Sequence, residues 1–289
     1  MLAGFNLLTP ESLPEALEML STSGPDALPL AGGTNLLVDI RGGRRQVPTL
    51  VNIAGLDELR AIQRQDGHLV VGGAVTIAEL LDEPSVGQYA PVLREAASIF
   101  ANPLVRNRAT VGGNLADASP AADSAPPLLA LGAEVELAQK DQRRWVPMDE
   151  FFLGVRETVR RPDELLTAIR FPLRPKNSAA AFAKLGLRKA DAISVLSAAV
   201  MAECDSQGRC KQARIALGAV APRPIRANDA EQALAGHPLS SEAIAEAARL
   251  AADAAHPIDD LRGSAAYRRR VVEVLVRRLL TRVAEEIGS

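Results

Sequence analysis

Only two cysteines, Cys204 and Cys210, and three histidines, His68, His237 and His256, occur in 289 residues. Two cysteines are too few for a four-cysteine zinc site or for the four protein ligands that an iron–sulfur cluster usually takes. The histidines are scattered, and His237 and His256 each precede proline, which places them in loops. A metal site is therefore not expected. An excess of charge of one sign is also lacking: 33 Lys and Arg against 35 Asp and Glu leave a net charge of −2. No basic surface invites nucleic acid or an anionic membrane. No apolar run approaches the roughly 18–20 residues of a membrane span. The opening stretch "MLAGFNLLTPESLPEAL" has no basic segment and soon turns acidic, as expected of mature sequence in the cytoplasm rather than of a signal peptide. Cys204 and Cys210 flank a five-residue turn and could come close, but a cytoplasmic setting favours free thiols. No Ser-His-Asp, Cys-His or paired-carboxylate constellation is present.

What is present is periodicity broken by glycine. Residues 12–21, "SLPEALEMLS", have the spacing of a helix capped by Ser12, with Leu13, Leu17 and Leu20 on one face. "ALPLAGG" (27–33) is a strand running into a glycine turn. "TNLLVDIR" (34–41) is a short helix with Thr34 or Asn35 as cap, and "PTLVNIAG" (48–55) is a second strand. That order suits a small parallel α/β unit. "HLVVGGAVTIAELL" (68–81) reads as strand, glycine break and helix, and residues 91–109 as helical until Pro103. "AEVELAQ" (133–139) and "RRWVPM" (143–148) form a hairpin in which the single Trp145 packs, and "DELLTAIRFPL" (163–173) is a strand. Composition shifts at "RPKNSAAA" (174–181), a linker or loop. Beyond it, residues 192–220 read as two alternating strands around "DSQGR". Helical patterns follow near 226–235, 241–254 and 264–287, the last with Val271, Val274, Leu275, Leu279 and Val283 mainly on one face.

Two glycine-rich turns carry the candidate chemistry, "LAGGTNL" (30–36) and "TVGGNL" (110–115). Glycine admits positive φ and close approach of a ligand. Consecutive peptide N–H groups then converge on an anion, and a helix starting after the turn adds its positive end. Thr34, Asn35, Thr110 and Asn114 add side-chain donors. Such a grip suits a diphosphate and needs no lysine. Neither turn is followed by Gly-Lys-Ser/Thr, and neither fits G-x-G-x-x-G. A lone Gly-Gly is more often a structural turn, and "VGGA" (71–74) and "RGGRR" (41–45) are read as plain turns.

Taken together, "PLAGGTNLLVDIR" and "VRNRATVGGNLADASPAAD", about 80 residues apart, closely resemble the FAD-binding medium subunits of the molybdenum hydroxylase family, which includes carbon monoxide and xanthine dehydrogenases. "DELLTAIRFP", "AFAKLGLRKADAISVLSAAV" and "YRRRVVEVLVRRLL" extend the resemblance over nearly the whole chain. It implies an α+β fold: a two-lobed PCMH-type, vanillyl-alcohol-oxidase-like FAD-binding domain over residues 1–175, with lobes at about 1–56 and 57–175. A small C-terminal α+β domain with a three-stranded sheet and helices would occupy 178–289. Carried over, Ala31, Gly32, Gly33, Thr34 and Asn35, flanked by Pro29, Leu30 and Leu36, would line the first diphosphate loop. Thr110, Val111, Gly112, Gly113 and Asn114 would line the second. Asp123 would bond the adenosine half at its ribose, and Phe100, Leu166 and Lys184 match further FAD contacts, the lysine as a cation near the flavin. Each has a plainer reading. Asp123 follows Ser119-Pro120, a good helix N-cap pair whose dipole suits an acid; Lys184 suits an exposed strand; Phe100 and Leu166 suit a core.

The resemblance further implies a relay. Substrate is hydroxylated at a molybdopterin-molybdenum centre on a large partner chain, electrons pass through 2Fe-2S clusters on a small partner chain, and FAD on this chain hands them to an acceptor. A dimer of heterotrimers would result. The two cysteines agree with clusters housed elsewhere, and they exclude the cysteine-bound 4Fe-4S insertion of some relatives. Histidine is absent from both glycine turns, so FAD is expected to be noncovalent. A self-sufficient flavoprotein oxidase or reductase of similar fold, and a nucleotide-binding module without redox activity, are the competing readings.

Overall fold

The computed structural model describes residues 4–288, so Met1–Ala3 and Ser289, at the outer ends of the two expected domains, lie outside the described residues. The chain begins with strand β1 (Asn6–Leu8), helix α1 (Leu13–Ser23), β2 (Ala27–Leu30), α2 (Leu36–Arg41) and β3 (Thr49–Asn52). The three strands form a parallel sheet in the order β1-β3-β2, the expected small α/β unit. Ser12 caps α1 by accepting from the Glu15 N–H, and Leu13, Leu17 and Leu20 pack inward beside Val51 and Ile53.

The second lobe is built on a five-stranded antiparallel sheet, with helices on its inner face. In chain order come β4 (Ile62–Gln65), β5 (His68–Gly72), α3 (Ile77–Asp82), α4 (Pro84–Tyr89), α5 (Pro91–Ser98), α6 (Pro103–Arg106), α7 (Val111–Ala116) and α8 (Ala125–Ala130). There follow β6 (Glu134–Gln139), β7 (Gln142–Pro147), α9 (Met148–Phe151), β8 (Phe152–Gly154), β9 (Glu157–Thr158) and β10 (Leu165–Pro172). The sheet order is β4-β5-β10-β6-β7. A capping box, in which Thr76 and Glu79 satisfy each other's backbone N–H groups, starts α3. Trp145 lies on the expected hairpin with the Arg170 guanidinium 4.1 Å from its ring centroid.

The helix expected to run to Pro103 instead ends at Ser98. Asn102 precedes proline and is extended (φ −132°, ψ 168°), and its side chain accepts from the Val105 N–H to open the separate α6. Proline here starts a helix rather than stopping one. Between the two helices Ala101 has φ 38°, and Phe100 sits in the kink.

The last segment contains β11 (Ser178–Gly186), β12 (Ser194–Cys204), β13 (Cys210–Gly218), β14 (Ile225–Arg226), α10 (Asn228–Leu234), α11 (Ser241–Asp253) and α12 (Ala265–Gly288). Its antiparallel sheet has three long strands, with the two-residue β14 as a fourth. β12 does not alternate between buried and exposed positions as expected, because both faces are covered. One face, with Ala180, Phe182, Ala199 and Met201, joins the core of the second lobe; the other, with Ala179, Ala181, Leu196 and Val200, packs on α10–α12. The α12 stripe is also rotated from expectation: Arg268, Val272, Val276, Leu279, Leu280 and Val283 are buried, while Val274 is exposed. Cys204 and Cys210 are cross-strand neighbours and both are free thiols. Burial pushes the Cys210 thiol up to about 11. No helix of the described residues is long and apolar enough to cross a membrane.

Candidate functional site

The two glycine turns face each other across one open cleft of about 460 Å³ between the lobes. Their approach rests on missing side chains. A Cβ on Gly32 would lie 1.8 Å from the Arg108 carbonyl oxygen, just before the second turn. Gly112 donates its N–H to the Gly73 carbonyl at 3.0 Å, and a Cβ there would lie 2.5 Å from the same oxygen. "VGGA" is therefore no plain turn: Gly73 lines the cleft, and its own Cβ would strike the Leu166 carbonyl at 2.4 Å. The register shift between Leu166 and Ala168 in β10 is what brings Leu166 to this point.

In the first turn Gly33 has φ 70°. The first helical hydrogen bonds of α2 come from Leu37 and Asp39, back to Gly33 and Asn35. The peptide N–H groups of Gly33, Thr34 and Asn35 have no acceptor among the described residues, as is normal for the exposed start of a helix. Neither Thr34 nor Asn35 caps α2 with its side chain as expected; the Asn35 amide instead donates to Asp117 at 2.9 Å, from lobe to lobe.

The second turn is built differently from expectation. Thr110 is the N-cap of α7, and the glycines form the first turn of that helix. The N–H groups of Val111, Gly112, Gly113 and Asn114 are all taken within the protein, by Val75, Gly73 and Thr110. This side therefore offers no free peptide donors. It offers the exposed, bare face of Gly113, the Thr110 hydroxyl and the Asn114 amide nitrogen. The amide oxygen of Asn114 is held by Ser124.

Among the residues expected at the site, Pro29, Leu30, Ala31, Gly33, Thr34, Asn35 and Leu36 line the cleft. So do Phe100, Thr110, Gly112, Gly113, Asn114, Asp123 and Leu166. Gly32 and Val111 do not: Gly32 is turned to the Arg108 backbone and Val111 is buried in the core. Lys184 does not line it either. It is neither an exposed strand lysine nor a free cation, because its Nζ donates to Asp123 Oδ2 at 2.5 Å with both side chains buried. No helix starts at Ser119; residues 119–124 are turn and loop, and α8 begins at Ala125.

Sequence reasoning missed the arginines. Arg44 and Arg45, just beyond the plain Gly42-Gly43 turn, line the cleft together with Arg156 and Arg160. Arg156 donates to Asp39 at 2.7 Å and to Asp117 at 3.2 Å, clasping α2 to the end of α7. Burial alone would raise the Asp39 carboxyl, but the hydrogen bonds and charges of Arg44 and Arg156 outweigh it and hold the group low. Burial, aided by the charge of Arg45, holds the Arg160 guanidinium below its ordinary value despite Glu164 and Asp163. No cluster of metal-ligating side chains exists among the described residues.

Glycine-made close approach, free N–H groups at a helix start and an apolar wall with one aromatic fit a dinucleotide carrying a flat ring system. The comparisons agree. Residues 3–174 match the family "FAD binding domain in molybdopterin dehydrogenase", and 180–283 match "CO dehydrogenase flavoprotein C-terminal domain". The carbon monoxide dehydrogenase medium chain of Hydrogenophaga pseudoflava is 36% identical over 96% of both chains. A putative xanthine dehydrogenase FAD-binding subunit of Escherichia coli is 32% identical, covering 96% of this chain and 95% of its own. The solved carbon monoxide dehydrogenase of H. pseudoflava that lacks the Mo-pyranopterin moiety superposes with a TM-score of 0.95 at 34% identity, over 99% of both chains.

Proposed function

Because the chain belongs to the FAD-binding medium subunits of the molybdenum hydroxylases, we propose that it holds noncovalent FAD between its lobes as the outlet of a larger complex. FAD would take electrons from 2Fe-2S clusters on a small partner chain and pass them to an external acceptor. Substrate would react on a large molybdenum-cofactor chain, the complex being a cytoplasmic dimer of heterotrimers. The FAD-binding domain would span 1–175, with lobes at about 1–56 and 57–175, and the C-terminal domain 178–289.

The observation that carries this reading is the row of unpaired N–H groups at Gly33, Thr34 and Asn35 opposite the bare face of Gly113. Those N–H groups would bind one side of the diphosphate, helped by the positive end of α2. The Thr110 hydroxyl and Asn114 amide would bind the other side. Phe100, Val105, Leu165, Leu166 and Ile193 would keep water from the ring. The clasp of Arg156 on Asp39 and Asp117 would hold the lobes at the spacing the dinucleotide needs.

Purification of the native chain tests the proposal. Flavin absorbance that mild acid releases, with molybdenum and 2Fe-2S chains co-purifying, is the expected result. A colourless chain that binds no added FAD would reject the cleft assignment. A flavin-loaded chain that oxidises substrate without partners would replace the relay with a self-sufficient oxidase or reductase.

A further inference from the structure

We propose that Ser194, with Lys184, positions Asp123 as a charge-balanced acceptor facing the ring half of bound FAD; this rests on the reading of the cleft as the FAD site. Asp123 lines the cleft, yet both of its oxygens are engaged from behind by the last segment of the chain. Lys184 Nζ donates to Oδ2 at 2.5 Å, and Ser194 Oγ donates to Oδ1 at 2.7 Å. Ser194 is fully buried. It is also anchored: its carbonyl accepts from Arg262 at 3.4 Å, Arg262 holds Asp260, and Asp260 holds the buried Arg268 of α12. A second tie fixes the same turn, since the Ala219 N–H donates to the Pro120 carbonyl at 2.7 Å. The Asp123 carboxylate is thus held by β11, β12 and the helices behind them, while its own lobe holds the neighbouring backbone through Ser124 and Asn114.

A carboxylate offers about four acceptor positions, so two remain after Lys184 and Ser194 are bound. These can face a hydroxyl or ring N–H in the cleft. Lys184 cancels the charge that would otherwise repel a diphosphate nearby. Through Ser194, Asp123 is tied to the Ile193 rim of the cleft. Ser194 directly follows the lining residues Asp191, Ala192 and Ile193, and the Asp191 N–H donates to the Ala101 carbonyl beside Phe100. Arg44 and Arg156 gather about Asp39 and Asp117 in another part of the lining, and the lining residue Arg160 lies by Arg45 and Glu164. A flat ring system belongs with Phe100 and Ile193, which sets Asp123 beside the ring half rather than the ribose expected from sequence.

The test uses the full-length chain, freed of flavin and titrated with FAD, as wild type, Ser194→Ala, Asp123→Asn and the double variant. Ser194→Ala removes a donor from the carboxylate and leaves more negative charge on Oδ1. FAD affinity should fall on the order of tenfold, and the midpoint potential of bound FAD should become more negative. Asp123→Asn should shift the potential the opposite way. Adding Ser194→Ala to Asp123→Asn should change neither quantity further, which a merely structural serine would not produce. Wild-type affinity and potential in Ser194→Ala would overturn the proposal, as would the same losses persisting in the Asp123→Asn background. An Asp123→Asn chain with weakened FAD binding and an unmoved potential would return Asp123 to the adenosine half. A wild-type chain that binds no FAD is a separate failure, that of the cleft assignment itself.

Discussion

Gly32 and Gly113 belong to matching Gly-Gly pairs, but the space around them separates stability from binding. A Cβ on Gly32 meets fixed backbone at 1.8 Å, whereas a Cβ on Gly113 meets only the tip of Thr110, at 2.8 Å, and otherwise enters the cleft. Gly32→Ala is therefore expected to cost about 3 kcal/mol or more, because the two turns must move apart. Gly113→Val should cost about 1 kcal/mol through the disturbed Thr110 cap, yet lose at least tenfold in FAD affinity. Denaturant titration and FAD titration of both variants measure the two effects separately, and a Gly113→Val chain with full FAD occupancy would displace the cofactor from this turn. Both pairs were legible in the sequence because a Gly-Gly pair at the start of a helical pattern is locally unusual, although Gly112 and Gly113 turn out to lie inside α7. Gly73 and the four cleft arginines were not: Gly73, Arg44 and Arg45 sit in stretches read as plain turns, Arg156 and Arg160 in a stretch with no motif, and only the fold brings them to the lining.

At the scale of elements, the position of Phe100 depends on a helix that stops early. The α5–α6 kink exists because Asn102 is extended before proline and caps α6. Removing that cap by Asn102→Ala should cost about 1 kcal/mol and also loosen the kink, weakening FAD binding several-fold. Ser240→Ala, which removes the cap of the distant α11, should cost a similar amount and leave FAD binding unchanged. Equal loss of FAD in both variants would mean that general stability, not the kink, governs binding. Local signals served well where one element met one face, as in Ser12 and α1. They failed at β12, although the nearly unbroken apolar run from Val195 to Ala202 already matched a strand buried on both sides. They failed on Lys184 too, whose partner Asp123 is 61 residues away.

At the scale of the molecule, the C-terminal segment is a wall of the site as well as a separate layer. Phe182, Met201 and Ala216 are buried among the helices of the second lobe, and the N–H of Phe182 donates to Glu95 at 2.8 Å. The same segment supplies the Asp191–Ile193 rim and both partners of Asp123. Ending the chain at residue 175, at the expected domain boundary, would uncover this apolar face of the second lobe and leave Asp123 as a nearly buried carboxylate with no counter-charge. Removing one partner of a buried ion pair costs about 3–5 kcal/mol, and a large exposed apolar face adds a tendency to aggregate. The shortened chain is therefore expected to show no cooperative thermal transition, to bind an apolar dye and to take up no FAD, even though both glycine turns are intact. A 1–175 chain that melts cooperatively and binds FAD at wild-type affinity would show that the lobes alone form the site, and that the C-terminal segment does not help to build it.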